Sequence, residues 1–449
     1  MARGVGLTAV FGRGAGRVFG RGTGRSRQRV IAVAAVVAVG AGAGVYAVTR
    51  STDRSARVAF ALGGGTSAST AGRGTDLAVT GRVAGLTSDR SGDVVLFTAT
   101  GDDPASYRMW KLTPSGSVTS VPVPALNHEQ NLAQVAAAPD GSVYVAAGGL
   151  WRVTADGRAT ETVRNAKSAS PADDVPVKDF TPFQVEGVTV AADGTVYVSD
   201  LSVELNGLRI HRLGGGRAVR IAGAPYAEDT SQWHPETFDP GRGVPATSTW
   251  IPWGHLSGPI AWSKDGLYLR TKQAVLRLSD GGRLLPVVAQ RTEERLNRPS
   301  GPFRSYGSAI DGYLGPLTGD SDDPPADLAV DTADGAVFYG AGPDYTPASA
   351  AERDKGVSRG HAVSHAFTWH GKFTAAQRSF VAGLTDDETV YRAVPGGSVS
   401  AVLLHSRAAA LAGDHLYMAE QACMKELSPC PDRYTRTAVV RMPLPSGDR

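Results

Sequence analysis

Cysteine is nearly absent from this sequence. Cys423 and Cys430 are the only two in 449 residues, so disulfides cannot be what builds the fold. No P-loop or dinucleotide fingerprint follows a strand pattern, which leaves phosphate-cradling chemistry without its signature. Aromatic residues are 7% of the chain, and beyond position 75 there is no long apolar run. The apolar residues there fall in short stretches split by Gly, Asp and Pro, with Gly 55 and Pro 27 in total, which is the punctuation of many short strands. Acid is missing altogether from residues 1–29, where Arg3, Arg13, Arg17, Arg21, Arg25, Arg27 and Arg29 stand. Those seven more than account for the net charge of +3 and leave 39 basic residues against 43 acidic ones. A body that binds polyanions is therefore not expected, and no nucleic-acid partner is.

The first long hydrophobic run is Val30 to Val48, nineteen residues without a charge. That is about the ~20 residues a helix needs to cross a bilayer, and the arginines on its N-terminal side predict a cytoplasmic tail with the rest translocated. A cleaved signal peptide ending near Ala41-Gly42-Ala43 is the rival reading, although the run exceeds an ordinary signal core. The Gly/Arg alternation of residues 10–25 also suits an RGG-like nucleic-acid segment, but its place directly before a span favours a topogenic or lipid-contacting tail. Residues 49–75 are small, polar and Gly-rich and read as a flexible linker. In an exported chain, Cys423 and Cys430 are expected to form a local disulfide.

One element recurs through the remainder: an apolar strand, a tight turn with Gly beside Asp or Ser, and a second strand carrying an aromatic or aliphatic pair. Its copies are Leu86–Phe97, Val135–Val145, Val188–Val198, Ile260–Leu269, Leu328–Tyr339 and Ala409–Met418. The Asp-Gly pairs are read as hairpin turns needing φ > 0 at their central residues. The turn glycines, Gly92, Gly141, Gly194, Gly266, Gly335 and Gly413, are spaced at or above the length of a propeller blade, with insertions at about 224–256, 290–322 and 341–388. Most copies are followed by a third strand ending in a basic residue, such as Leu150-Trp151-Arg152-Val153, and by a short fourth. Four strands in each of six repeats predict an all-β, six-bladed β-propeller over residues 76–449, preceded by one N-terminal transmembrane helix. Asp76–Thr80 is expected to complete the last blade and close the ring.

The stretch from Val185-Glu186-Gly187-Val188 through Asp193-Gly194-Thr195-Val196-Tyr197-Val198-Ser199-Asp200 resembles NHL-repeat propellers. Ile221-Ala222-Gly223, followed by Gly243-Val244-Pro245-Ala246-Thr247, is similar to the same family's connection between blades. The composition, rich in Arg, Ala, Gly and Val, resembles that of GC-rich actinobacterial genomes. The NHL resemblance implies a scaffold or sensor that binds a cell-envelope protein or a small ligand at the mouth of its channel. Gln134, Glu186 and Asp327 are the candidate mouth residues, with Gly258 and Ala408 at matching places. Glu186-Gly187 also resembles the opening of a blade in gluconolactonase-like hydrolases, which implies a second reading: a hydrolase or lyase in which Glu186 and Asp327 hold a divalent cation such as calcium. No cofactor is otherwise expected. His361, His365 and His370 form a third cluster, but no Glu of a zincin motif lies between them. Trp233, Trp250, Trp253, Tyr306, Tyr313, Tyr345 and Trp369 in the insertions supply either a recognition surface or small cores of their own.

Overall fold

The computed structural model describes residues 57–101, 106–126, 132–166, 173–202, 206–225, 233–252, 258–271, 274–289, 328–331, 335–341, 368–369, 373–382, 384, 389–395, 399–404, 406–425 and 434–444. The expected membrane span at 30–48, the tail before it, Asp327, Cys430 and the three clustered histidines lie outside them. No helix among the described residues is long and apolar enough to cross a membrane.

Six sheets follow one another along the chain, each running antiparallel from an inner strand to an outer one; in the last, Arg57 and Val58 also pair in parallel with Thr368 and Trp369. Blade 1 is Arg82–Ser88, Val94–Thr100, Ser106–Leu112 and Ser117–Pro122, and blade 2 is Gln134–Ala137, Val143–Ala147, Gly149–Val153 and Ala159–Val163. Blade 3 is Gln184–Val190, Val196–Ser202, Gly207–Gly214 and Arg217–Ala222, and blade 4 is Ile260–Ser263, Gly266–Arg270, Ala274–Leu278 and Arg283–Ala289. Blade 5 is Leu328–Val330, Val337–Ala341, Thr389–Ala393 and Val399–Leu404. Blade 6 begins with Ser406–Ala412, His415–Cys423 and Thr435–Pro443. Each predicted hairpin is the inner pair of a blade. The all-β, six-bladed propeller is what the strand pairing gives.

Alternation along these strands sends one set of side chains to each face of a sheet, so a blade has two apolar faces and needs a neighbour on both. Six buried clusters meet that need. Leu86, Val439 and Tyr417 lie between blades 6 and 1; Phe97, Val135 and Val145 between 1 and 2; Val188, Val198 and Leu150 between 2 and 3. Ile210, Leu269 and Trp250 lie between 3 and 4, Tyr268 and Tyr339 between 4 and 5, and Phe338, Met418 and Val440 between 5 and 6.

The closing strand is not the expected one. Arg57–Leu62, read from sequence as part of the linker, pairs with Thr435–Pro443 as the fourth strand of blade 6 (Ala59 opposite Arg441, Phe60 opposite Val440). Val79–Thr80 pairs with only two residues of the same strand, Thr437 and Arg436. The reason is burial on both faces. Val58 and Phe60 enter the core between blades 5 and 6, and Ala61 and Leu62 that between blades 6 and 1. A five-residue apolar stretch, Val58 to Leu62, beside Gly- and Ser-rich sequence is easily averaged into a tether.

A second difference concerns the turns. Gly194 has φ 87° and Gly141 φ 81°, but no aspartate among the described residues has positive φ. The Ala191 N–H bonds to Thr195 O (2.8 Å) and the Gly194 N–H to Ala191 O (3.0 Å), so three residues form the loop and only its last, Gly194, is left-handed. Asp193 instead accepts the Thr195 N–H at 2.9 Å, as Asp140 accepts that of Ser142 at 2.9 Å. Asp suits these turns for its side-chain acceptor rather than for tolerance of positive φ.

Segments leading into blades 1, 3 and 4 add a fifth, edge strand to the blade they are about to enter: Ala71–Arg73, Asp174–Pro176 and Val244–Pro245. Each is followed by a single 3-10 turn whose first N–H bonds to the outer hairpin, to Gly116 O, Gly216 O and Gly282 O, all at 2.9 Å. These strands cover sheet edges that would otherwise expose unpaired backbone. The motif Gly243 to Thr247 is the edge strand and turn of blade 4.

If Arg57–Leu62 closes the ring, a charge at fully buried Val58 should open it. Val58→Asp is expected to lose about 3 kcal/mol or more in denaturant unfolding, whereas Thr80→Ala, at an exposed position, should lose under about 1 kcal/mol. Equal losses would contradict this closure.

Candidate functional site

The channel has two ends of different chemistry. At the connector mouth the chain arrives from the preceding blade, and at the turn mouth the inner strands hand over to their hairpin turns.

Sequence reasoning looked to the connector mouth, and Glu186 is there. In blades 1, 3 and 6 the inner pair carries the same irregularity, between Val83 and Gly85, Val185 and Gly187, and Ser406 and Ala408. A bulge leaves one residue unpaired and re-aims its side chain; Ala84 and Glu186 are so placed. The Gln184 amide donates to Glu186 Oε1 at 2.7 Å. Gly258, at φ 127°, packs so close to Glu186 that a Cβ there would lie 2.7 Å from the Glu186 Cβ. Behind Glu186, Asp200 is wholly buried, accepts the Gln184 N–H at 3.4 Å, and faces Arg209 across the sheet at 3.5 Å. Burial, joined by the negative charge of Asp200, pushes the Glu186 carboxyl up to about 7. Burial likewise lifts Asp200 to about 7, against the opposing pull of Arg209. His211 lies under Phe180 with ring centroids 4.7 Å apart and is held neutral by burial and by the Arg209 and Arg220 charges, its pKa pushed down to about 3. In blade 6 the residue in register with Asp200 is Glu420, whose buried carboxyl finds no hydrogen-bond partner among the described residues and is pushed well up by burial.

Gln134 does something else. From the inner strand of blade 2 its amide oxygen accepts the Val188 N–H of blade 3 and the Ile260 N–H of blade 4, both at 3.0 Å, and its amide nitrogen donates to Ile260 O at 2.9 Å. With these bonds made and 3% of its surface exposed, it is a strut joining three blades. Ala408 is buried in the core between blades 6 and 1. The structure thus gathers Glu186 with Gly258, Gln184 and Asp200, and separates Gln134 from them in role. Among the described residues no three His, Cys, Asp or Glu side chains come together as a metal site.

At the turn mouth the inner strands of all six blades line a cavity of about 610 Å³. Its width follows from small residues, Ala136 to Ala138, Ala191, Ala192 and Ala410 among them. Sequence reasoning missed this end. The signal was present in the runs of alanine where strands of this kind more often carry larger residues. Of the insertion aromatics, Trp233 and Trp250 are buried in the core between blades 3 and 4 and form no recognition surface. Trp253, Tyr306, Tyr313 and Tyr345 lie outside the described residues.

No protein-family profile matches the chain, and no curated protein matches it. Solved structures of similar shape include a Bacteroides thetaiotaomicron protein of unknown function, 10% identical, covering 86% of this chain and 76% of that one with a TM-score of 0.44. An auxiliary nutrient binding protein from Bacteroides ovatus is 11% identical over 86% and 76%, with a TM-score of 0.44. A protein provisionally named a gluconolactonase is 13% identical over 86% and 92%, with a TM-score of 0.40.

Two outcomes test the geometry. Gln134→Leu keeps the volume but strands the partners of all three bonds, and is expected to cost about 2–5 kcal/mol in urea unfolding; a loss under about 1 kcal/mol would show the strut to be dispensable. Glu186 and Asp200 hold their protons to about pH 7 when folded and release them in the ordinary carboxylate range when unfolded. Their contribution to stability is therefore full below about pH 4 and is lost as pH rises through about 7. Glu186→Gln should match the parent near pH 4 and exceed it by about 1–3 kcal/mol at pH 8; parallel stability curves would refute the assignment.

Proposed function

We propose that this protein is a membrane-anchored, extracytoplasmic propeller of NHL-like, actinobacterial type that binds a small ligand in its channel, as a sensor or scaffold component of the cell envelope. The observation that carries the reading is the turn-mouth cavity. Its volume falls within the range of about 300–1,000 Å³ typical of small-molecule sites, and six rigid strands preform it. The span at residues 30–48 would hold it at the membrane, and a Cys423–Cys430 disulfide would fit the oxidising side.

A second reading has its own observation. A half-buried glutamate oriented by an amide and titrating near neutrality is what general acid–base chemistry needs, so Glu186 backed by Asp200 supports a hydrolase or lyase at the connector mouth. Calcium at Glu186 and Asp327 belongs to the same reading.

The two mouths are separable by mutation. Ala137 lines the cavity, is half-buried, and lies in none of the interblade cores. Ala137→Trp should fill the cavity and abolish thermal shifts given by a small-metabolite panel with the full-length protein in detergent, with the ligand-free melting temperature little changed. Lactone or ester turnover that survives Ala137→Trp but is lost in Glu186→Gln would favour the hydrolase; shifts untouched by Ala137→Trp would sink the channel-binding reading.

A further inference from the structure

The turn-mouth cavity is lined by hydrogen-bond donors that the fold does not use. Thr87 Oγ1 accepts the Ala137 N–H at 3.2 Å and Thr189 Oγ1 accepts the Trp262 N–H at 3.0 Å. A hydroxyl that has accepted still has its own proton to give, and neither gives it to an acceptor among the described residues. Arg90 of blade 1 and Lys264 of blade 4 also line the cavity, three blades apart and so on opposite sides of the ring. Both are exposed, and neither forms an ion pair among the described residues. The charge of Arg90 is felt as far away as Asp193 of blade 3.

The acids lining the same cavity are already committed. Asp89 Oδ1 takes the Ser91 N–H (2.9 Å), the Ser91 hydroxyl (2.6 Å) and the Asp93 N–H (3.0 Å), and Asp89 Oδ2 lies 3.6 Å from the Lys111 ammonium. Asp331 is buried and partnered. What remains for a ligand is two cations on opposite sides of the ring and the protons of two hydroxyls that line the same cavity.

We infer that the turn-mouth cavity is a site for a small molecule bearing an oxyanion, a carboxylate or a phosphate, held between Arg90 and Lys264 with Thr87 and Thr189 donating to it. This rests on the channel-binding reading above and narrows its ligand. The cavity exceeds a bare anion in size, so the anion is one group of a larger polar molecule.

Isothermal titration of the full-length protein in detergent, at constant low ionic strength, tests this with malonate, inorganic phosphate and uncharged glycerol. Malonate or phosphate is expected to bind, glycerol not, and a double Arg90→Ala, Lys264→Ala variant to weaken the anion at least tenfold. Arg212→Ala, at an exposed arginine on the third strand of blade 3, should leave binding unchanged. Arg90, Lys264 and Arg212 are exposed, so folding is not at stake in those variants. Anion binding equally strong in the double variant would overturn the inference. So would neutral compounds that bind in a manner sensitive to Ala137→Trp while neither anion does, and that result would leave the channel-binding reading standing. If nothing that binds is sensitive to Ala137→Trp, both fail.

Discussion

The constraint on which the structure depends is the free backbone edge of each innermost strand. A propeller sheet pairs its strands from inside to outside and leaves the inner edge facing the channel, where unpaired N–H and C=O groups are costly. Here side chains of other blades meet that cost. Thr87 of blade 1 takes the Ala137 N–H of blade 2, Thr189 of blade 3 takes the Trp262 N–H of blade 4, and Ser88 of blade 1 donates to Leu411 O of blade 6 at 2.5 Å. Gln421 of blade 6 accepts the Val83 N–H of blade 1 at 3.2 Å, and Gln134 serves blades 3 and 4 together. These bonds cross between blades, so they set the ring's diameter as the apolar cores alone would not. Burial is non-directional, whereas a hydroxyl 3 Å from a neighbour's amide fixes distance and register.

The same bonds explain why the two ends of the channel differ. A short Thr or Ser reaching one blade sideways leaves the axis open, and alanines beside it widen the space into the turn-mouth cavity. Gln134, long enough to reach two blades on, occupies space the short hydroxyls leave free. On the connector side the bulge at Glu186 and the buried Asp200 bring in carboxyls that the ring does not need for closure. Residues in register with Asp200 are Thr98 in blade 1, which accepts the Trp110 indole N–H at 3.1 Å, and Glu420 in blade 6, which accepts no bond among the described residues. One position therefore holds a satisfied hydroxyl, a charge-paired acid and an unpaired acid in three repeats of a single scaffold. Only the first is explained by stability.

Much of the fold was legible because a propeller writes its blades as local hairpins. Val-Tyr-Val after Asp-Gly-Thr at 193–198 declares strand, turn and strand within a dozen residues, and six such copies give the count without any long-range information. Closure was not legible in the same way. Arg57–Leu62 pairs with residues nearly 380 positions away, and its six residues show no turn or repeat to mark them. The misreading of the Asp-Gly turns has a similar cause: the dipeptide fits two loop geometries, and the choice between them lies in backbone bonds such as Ala191 to Thr195.

For the site, residue type was a poor guide and neighbours were decisive. Glu186 and Gln134 are both polar residues on inner strands and look equivalent in sequence. They part company because Gln134 meets two backbone N–H groups and a carbonyl, which use up its amide, while Glu186 meets one amide and a buried carboxyl, and burial pushes its own carboxyl up to about 7. The alanines of the turn mouth carry the converse lesson. They offer no functional group, so a search for chemistry passes over them, yet the space they leave lets Arg90, Lys264 and the two threonines face something other than each other. In a ring whose polar inner edge is already stitched by its own side chains, the groups left over for a ligand are those that stitching does not consume.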